Sequence, residues 1–219
     1  MSNPERGIWL KDSANREDLA TFVERALRLD DAAVIRLRER GDGQLTAWVS
    51  TGFDVLASRV VAGRVNPVDL SAGADSLAAG LTAMDATGYV DAGFAMDSAW
   101  RGALPPESGF EHLDDVPAGV MLDLAQRGIA LAKEHSSSHG PPASLLDQEV
   151  VAVSSGDASV GIPMRCVFAL TAMGFLPQSG DAVGADEIVR VRALPAWLRI
   201  DARFGSVYRR RGDPALVLR

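Results

Sequence analysis

The chain has 219 residues, of which 47% are hydrophobic and 23% are charged, and its 22 basic and 29 acidic residues give a net charge of −7. This apolar content excludes a disordered chain. No apolar run reaches the roughly 18 residues of a membrane-spanning helix, and the first residues lack the layout of a signal peptide. Cys166 is the single cysteine, which excludes an internal disulfide. These features predict a cytoplasmic protein.

The charge is unevenly distributed along the chain. Residues 1–66 are balanced, residues 67–185 carry a net charge of −11, and residues 186–219 carry a net charge of +4. Opposite charges in separate segments favour contact between those segments. We therefore expect the basic tail to contact the acidic middle, either within one chain or between two copies.

The first predicted element is a helix that Ser13 or Asn15 caps and that ends at Asp30-Asp31. A hairpin follows, in which Val34–Arg40 and Gln44–Ser50 flank Gly41-Asp42-Gly43. A three-residue loop with Gly43 in the left-handed conformation makes one face of the hairpin apolar. This register pairs Ile35 with Val49, Leu37 with Ala47, and Glu39 with Leu45. The opposite, exposed face then carries Arg36, Arg38, Arg40, Gln44, Thr46 and Trp48.

The next segment is predicted as a strand over Phe53–Val65, which Pro67 ends. A helix capped by Asp69 or Ser71 then runs to about Met84. Tyr89–Leu104 is predicted as one extended strand or two short ones.

The second half is predicted to begin with a helix that Asp114 or Asp115 caps, with Pro117 in its first turn and its end near His135. Its apolar face would carry Val120, Leu124, Ile129 and Leu131. The remaining predicted elements are a loop over Ser136–Pro142, a hairpin of Glu149–Ser154 with Ser159–Ile162, a helix over Met164–Leu176, and strands over Glu187–Ala193, Trp197–Phe204 and Ser206–Arg211.

A short motif recurs in the two halves of the chain. Leu81-Thr82-Ala83-Met84 is repeated at 170–173, and each copy is followed about 20 residues later by Ala-Leu-Pro. The predicted order helix–hairpin–helix–strand also occurs twice. The sequence therefore predicts an α+β fold with a mixed or antiparallel sheet and packed helices. It favours a tandem pseudo-two-fold duplication, with halves at 1–105 and 106–219 and extra C-terminal strands in the second.

Catalytic and metal-binding signatures are weak. His135 and His139 have the spacing of two ligands on one helix face, but the serines and prolines around them favour an exposed loop. Cys166 lies in an apolar helix, which favours a buried core residue over a nucleophile. The sequence contains no Gly-x-Ser-x-Gly or phosphate-loop pattern. We predict no metal and no cofactor.

The sharpest pattern is arginine and tryptophan on exposed strand faces. The candidate binding residues are Arg36, Arg38, Arg40, Trp48, Arg190, Arg192, Trp197, Arg199, Arg203, Arg209, Arg210 and Arg211. Such faces suit a solvated surface neutralised by the acidic segment, a protein interface, or a platform for a phosphorylated ligand or single-stranded nucleic acid. The negative net charge argues against general binding of nucleic acid.

We therefore expect a non-enzymatic module that binds a protein partner or a second copy of itself as a homo-oligomer. The first alternative is a binder of a phosphorylated ligand or of single-stranded nucleic acid through the arginine and tryptophan faces. The second is a hydrolase with its site in the acidic middle segment. No membrane partner is expected.

Overall fold

The computed structural model describes residues 6–135, 141–156, 158–177 and 186–212. The chain divides into two compact units, one made of Met1–Gly52 with Leu56–Ala103 and the other of Phe53–Val55 with Leu104–Arg219. Both combine antiparallel strands with helices, so the predicted fold class is confirmed. No helix in these described ranges is long and apolar enough to span a membrane.

The first unit is a sheet with two helices that pack on each other. The strands β5, β2, β3 and β4 are neighbours in that order, β1 pairs with the end of β4, and β6 pairs with β1. Its elements are β1 (Gly7–Leu10), α1 (Ser13–Leu29), β2 (Val34–Arg40), β3 (Gln44–Thr51), β4 (Val55–Asn66), β5 (Asp69–Gly73), α2 (Ala74–Thr82) and β6 (Tyr89–Val90).

The hairpin of β2 and β3 has the predicted register. Ile35 pairs with Val49, Leu37 with Ala47, and Glu39 with Leu45, and Gly43 has a φ of 71°. The predicted exposure of the other face is confirmed for Arg38 and Arg40. It is wrong for Thr46 and Trp48, which are buried on β3 between two other strands. A strand in the interior of a sheet can be covered on both of its faces. The alternation of polar and apolar residues, in contrast, predicts that only one face is buried.

The structure differs from three other predictions for this unit. Asp12 caps α1 by accepting a hydrogen bond from the backbone N–H of Asn15. The predicted helix from Asp69 begins as β5, which pairs with β2, and the helix itself begins at Ala74. Of the predicted strand Tyr89–Leu104, only β6 forms, and a single 3₁₀ turn covers Asp97–Ala99.

The second unit contains a sheet in the order β12, β11, β10, β7, and a separate hairpin of β8 with β9. Helix α3 packs on α5. Its elements are β7 (Glu111–Pro117), α3 (Ala118–His135), α4 (Ala143–Leu146), β8 (Glu149–Ser155), β9 (Ala158–Pro163), α5 (Met164–Ala172), β10 (Ile188–Leu194), β11 (Trp197–Ala202) and β12 (Gly205–Arg210).

The start and the buried face of α3 differ from the prediction. Glu111–Pro117 is a strand that pairs with β10, so the predicted capping residues Asp114 and Asp115 lie on β7. The predicted apolar face is wrong as well. Met121 and Ala125 are buried, whereas Val120, Ile129 and Leu131 are exposed by 41%, 41% and 43%. The helix therefore presents apolar side chains to solvent.

The repeated Leu-Thr-Ala-Met motif occupies the same place in the two units. Its first copy ends α2 and its second copy ends α5, and the leucine of each copy is buried. In each unit the helix that ends with the motif follows a strand with no intervening loop, from Gly73 to Ala74 and from Pro163 to Met164. A helix, a hairpin and the helix with the motif thus occur in the same order in both units, with β4 and β5 added in the first and α4 in the second.

Candidate functional site

The predicted arginine faces are largely neutralised by carboxylates within the same unit. On β2, Arg36 donates two hydrogen bonds to Asp69, at 2.8 and 2.7 Å, and its guanidinium lies 5.8 Å from the ring of Trp100. Arg38 lies 3.9 Å from the same carboxylate, and Arg40 is exposed at the end of the strand. Trp48 is buried beside them, so it offers no exposed aromatic surface.

The tail arginines also pair with acids of the second unit. Arg192 and Arg199 each lie 2.7 Å from Asp201, and Arg203 lies 3.2 Å from Glu187. Trp197, predicted to be exposed with them, is buried.

Two further ion pairs join the basic tail to the acidic middle within one chain. Arg190 contacts Asp115 at 2.9 and 3.0 Å, and Arg209 contacts Asp147 at 3.2 Å. The structure thus shows tail–middle contacts inside the second unit.

The pair of Asp115 with Arg190 makes stability depend on pH. Hydrogen bonds from Arg190, and then from His112, lower the pKa of Asp115 from 3.8 to about 2. A carboxyl whose pKa is lowered by folding stabilises the folded state above its unfolded pKa, and this contribution is lost as the pH falls through the folded pKa.

We therefore expect Asp115→Asn to lower the urea midpoint of unfolding at pH 7, and the difference from the unsubstituted protein to shrink between pH 4 and pH 2. Asp123→Asn, an exposed carboxylate on α3 of the same unit, is the control and is expected to change little. A difference that stays constant down to pH 2 would contradict this role of Asp115.

Cys166 does not form a nucleophilic site. Its side chain is fully buried in α5, and burial raises the pKa of its thiol to about 12. A thiol that stays protonated is a poor nucleophile. The prediction of a core cysteine is confirmed.

The two histidines with metal-ligand spacing cannot be placed, because His139 and the side chain of His135 lie outside the described residues. Among the residues that are described, no group of three or more His, Cys, Asp or Glu side chains is arranged to hold a metal ion.

An apolar groove lies on the second unit. Its volume is about 370 Å³, and only one of its lining residues, Lys133, carries a charge. The groove residues are Phe53, Ile129, Ala132, Lys133, Pro141, Phe168, Thr171 and Ala172.

The helix pair forms one wall of the groove because a glycine allows close approach. A Cβ on Gly128 of α3 would lie 2.9 Å from the ring of Phe168 on α5 and 2.9 Å from the sulfur of Met164. The glycine therefore lets Phe168 pack directly against the backbone of α3. Ile129, the next residue, remains 41% exposed at the groove.

A partly buried ion pair lies at the other wall. Arg165 on α5 is 8% exposed, and it donates hydrogen bonds to Asp147 at 2.5 Å and to the carbonyl oxygen of Phe53 at 2.7 Å. The ring of Phe53 lies 6.0 Å from that of Phe168. Phe53 is 115 residues from Phe168 in sequence, so sequence reasoning did not bring them together. The one signal was Ile129, which the sequence predicted on an apolar face of α3.

The fold is similar to that of solved DNA polymerase sliding clamps. A clamp from Caulobacter crescentus matches with a TM-score of 0.55 and 11% identity, over 98% of this chain and 69% of that one. The DNA polymerase beta subunit of Streptococcus pyogenes matches with a TM-score of 0.55 and 12% identity, over 94% and 66%. A clamp from Bartonella birtlesii, bound to griselimycin, matches with a TM-score of 0.54 and 11% identity, over 95% of this chain and 65%, just under two thirds, of that one.

Two different family models match the sequence, one in each half of the chain. No curated protein matches the sequence. The model described as Domain of unknown function (DUF8010) matches residues 3–102. The model described as Domain of unknown function (DUF8185) matches residues 105–214. Because this second match covers half of the chain, the protein belongs to the DUF8185 family.

Proposed function

We propose that this protein is a non-enzymatic binding module that holds a protein partner on a clamp-like fold. The observation that carries the proposal is the apolar groove of about 370 Å³ beside α3. Apolar concave surfaces on a folded domain are typical of binding sites, because their exposure to water is unfavourable until a partner covers them. The clamps that share the fold are named as subunits of a polymerase, which supports a role within an assembly.

The expected occupant is a peptide segment of another protein with one or two large apolar side chains. The lining of aliphatic and aromatic residues suits such side chains, and the charge of Lys133 suits an acidic residue next to them. The arginine faces support this choice over nucleic acid, since seven of their arginines already pair with carboxylates of the same unit.

The proposal extends to the organisation of the chain. The two halves, at 1–105 and 106–219, would be products of a tandem duplication in which the second copy kept the groove. The repeated motif at the ends of α2 and α5 supports this.

The test is selection of peptides from a random display library on the purified full chain, followed by measurement of their Kd. We expect the selected peptides to carry large apolar side chains, and Ile129→Glu to raise their Kd at least about tenfold, because a carboxylate would be buried in an apolar contact. Leu131→Glu is the matched control, since Leu131 has the same exposure on the same helix but does not line the groove.

Three results would overturn the proposal. One is the absence of any selected peptide, and another is peptide binding that Ile129→Glu and Leu131→Glu weaken equally. The third is an oligomer of the unsubstituted chain, seen by light scattering, that Ile129→Glu dissociates and Leu131→Glu does not. That result would assign the groove to contact between copies of this chain.

A further inference from the structure

Residues 213–219, which follow β12, have an apolar sequence. They read Asp-Pro-Ala-Leu-Val-Leu-Arg, so three consecutive large apolar side chains, Leu216, Val217 and Leu218, come after the acidic Asp213. This is the composition expected of a peptide that binds the apolar groove. The segment itself lies outside the described residues, but the residues that precede it lie close to the groove.

The end of β12 is connected to one wall of the groove by two side chains. Arg209 contacts Oδ1 of Asp147 at 3.2 Å, and Arg165 contacts the same oxygen. Arg165 also donates a hydrogen bond to the carbonyl oxygen of Phe53 at 2.7 Å, and Phe53 lines the groove. Only Asp147 and Arg165 therefore separate the guanidinium of Arg209 from the backbone of this wall.

The segment is long enough to cross the groove. Gly212, the last described residue, lines one cavity together with Pro163, which directly precedes α5. The groove residues of α5 end at Ala172, and the helix from its first residue to Ala172 is about 12 Å long. The seven residues 213–219 span up to about 23 Å when extended. Their apolar side chains can thus reach Thr171 and Ala172 without any change in the fold.

We propose that residues 213–219 occupy the apolar groove of the same chain, and that a partner peptide binds by displacing them. This inference rests on the proposed function of the groove and adds its regulation. Burial of the large apolar side chains of the segment removes both them and the groove lining from water, which is favourable.

A weak contact is sufficient, because the segment is part of the same chain. A short tether gives an effective concentration of about 1 mM, so a contact with an intrinsic Kd of about 0.1 mM would fill the groove in about nine of ten molecules. The apparent affinity of a partner would then be lowered about tenfold. The segment would therefore act as a threshold that selects for tightly binding partners.

The first test is disulfide trapping in the full chain. Thr171→Cys is combined in turn with a cysteine at each of the positions 216, 217 and 218, and the mildly oxidised protein is mapped by mass spectrometry. A disulfide requires that the two Cα atoms come within about 7 Å, so it reports contact. The native Cys166 is buried with a raised thiol pKa and is not expected to compete.

Leu131→Cys replaces Thr171→Cys in the matched control, because Leu131 is exposed in the same unit but does not line the groove. We expect a disulfide within one chain to form at least about tenfold faster at position 171 than at position 131. Equal rates at the two positions would overturn the inference. So would disulfides formed only between two chains, which would assign the segment to the groove of a second copy.

The second test is the affinity of the peptides selected on the groove. We expect the double variant Leu216→Ser with Leu218→Ser to tighten their binding several-fold, because the segment then competes poorly and no charge is changed. Ala215→Ser is the matched control and is expected to change the Kd little. Unchanged affinity of the double variant would overturn the inference and leave the proposed function intact. The absence of any selected peptide would instead overturn the proposed function, and the disulfide test, which needs no peptide, separates the two failures.

Discussion

Replacing Gly80 with alanine is expected to destabilise the first unit by about 3 kcal/mol, although alanine is the better helix former by about 1 kcal/mol. Gly80 lies in α2, and a Cβ there would collide with the backbone carbonyl oxygen of Asp91 and lie 3.1 Å from a methyl group of Val90. The backbone carbonyl cannot rotate away as a side chain would. The segment after β6 must therefore move, which strains the pairing of Val90 with Ile8 on β1.

The measurement is urea unfolding followed by tryptophan fluorescence, to which Trp9, Trp48 and Trp100 of the first unit contribute. Gly119→Ala in α3 is the control, because a Cβ at Gly119 meets no atom within 4 Å. We expect that change to stabilise the protein by about 0.5 kcal/mol through lower entropy of the unfolded chain. Equal effects of the two substitutions, or a Gly80→Ala variant as stable as the unsubstituted protein, would refute the close packing of α2 on this segment.

Local patterns predicted the hairpin of β2 and β3 down to its register. The alternation of Ile35 and Leu37 with arginines, and a glycine able to adopt positive φ, are contained in some 17 neighbouring residues. The same reasoning failed where a strand runs directly into a helix. Asp69 and Asp115 have the position of helix caps in sequence, yet each is the ion-pair partner of an arginine on the neighbouring strand.

This failure has one physical cause at both places. An acid before an apolar periodic segment is typical of a helix N-terminus, since it can accept hydrogen bonds from free backbone N–H groups. Here each acid belongs to a strand and lies next to an arginine on the neighbouring strand. Only the sheet topology, which joins residues such as 115 and 190, distinguishes the two situations.

The apolar groove could not be predicted from the sequence, for a related reason. The exposed face of α3 was predicted to be buried, because periodicity shows that a face is apolar but does not show what covers it. The groove further needs Phe53, which lies in a turn far away along the chain. Its position depends on Arg165, whose burial in an otherwise apolar helix is the unusual feature of α5.

Replacing Arg165 with methionine is therefore expected to affect both stability and the groove. Methionine keeps much of the apolar contact of the side chain but removes the hydrogen bonds to Asp147 and to the carbonyl oxygen of Phe53. Because Asp147 is 53% exposed and stays hydrated, the expected loss is about 2 kcal/mol, below the 3–5 kcal/mol typical of a fully buried pair. Without the guanidinium of Arg165, the carbonyl oxygen of Phe53 accepts one hydrogen bond fewer.

The readouts for this substitution are the urea midpoint and the affinity of the peptides selected on the groove, measured where the variant remains folded. Asp54→Asn is the matched control, because Asp54 lies 3.8 Å from Arg165 but is 89% exposed, and an exposed ion pair contributes little. Asparagine also accepts the positive φ of 57° at this position. We expect Arg165→Met to lower both quantities and Asp54→Asn to change neither. Lost stability with unchanged peptide affinity would show that Arg165 supports the fold alone, and that the wall formed by Phe53 does not depend on it.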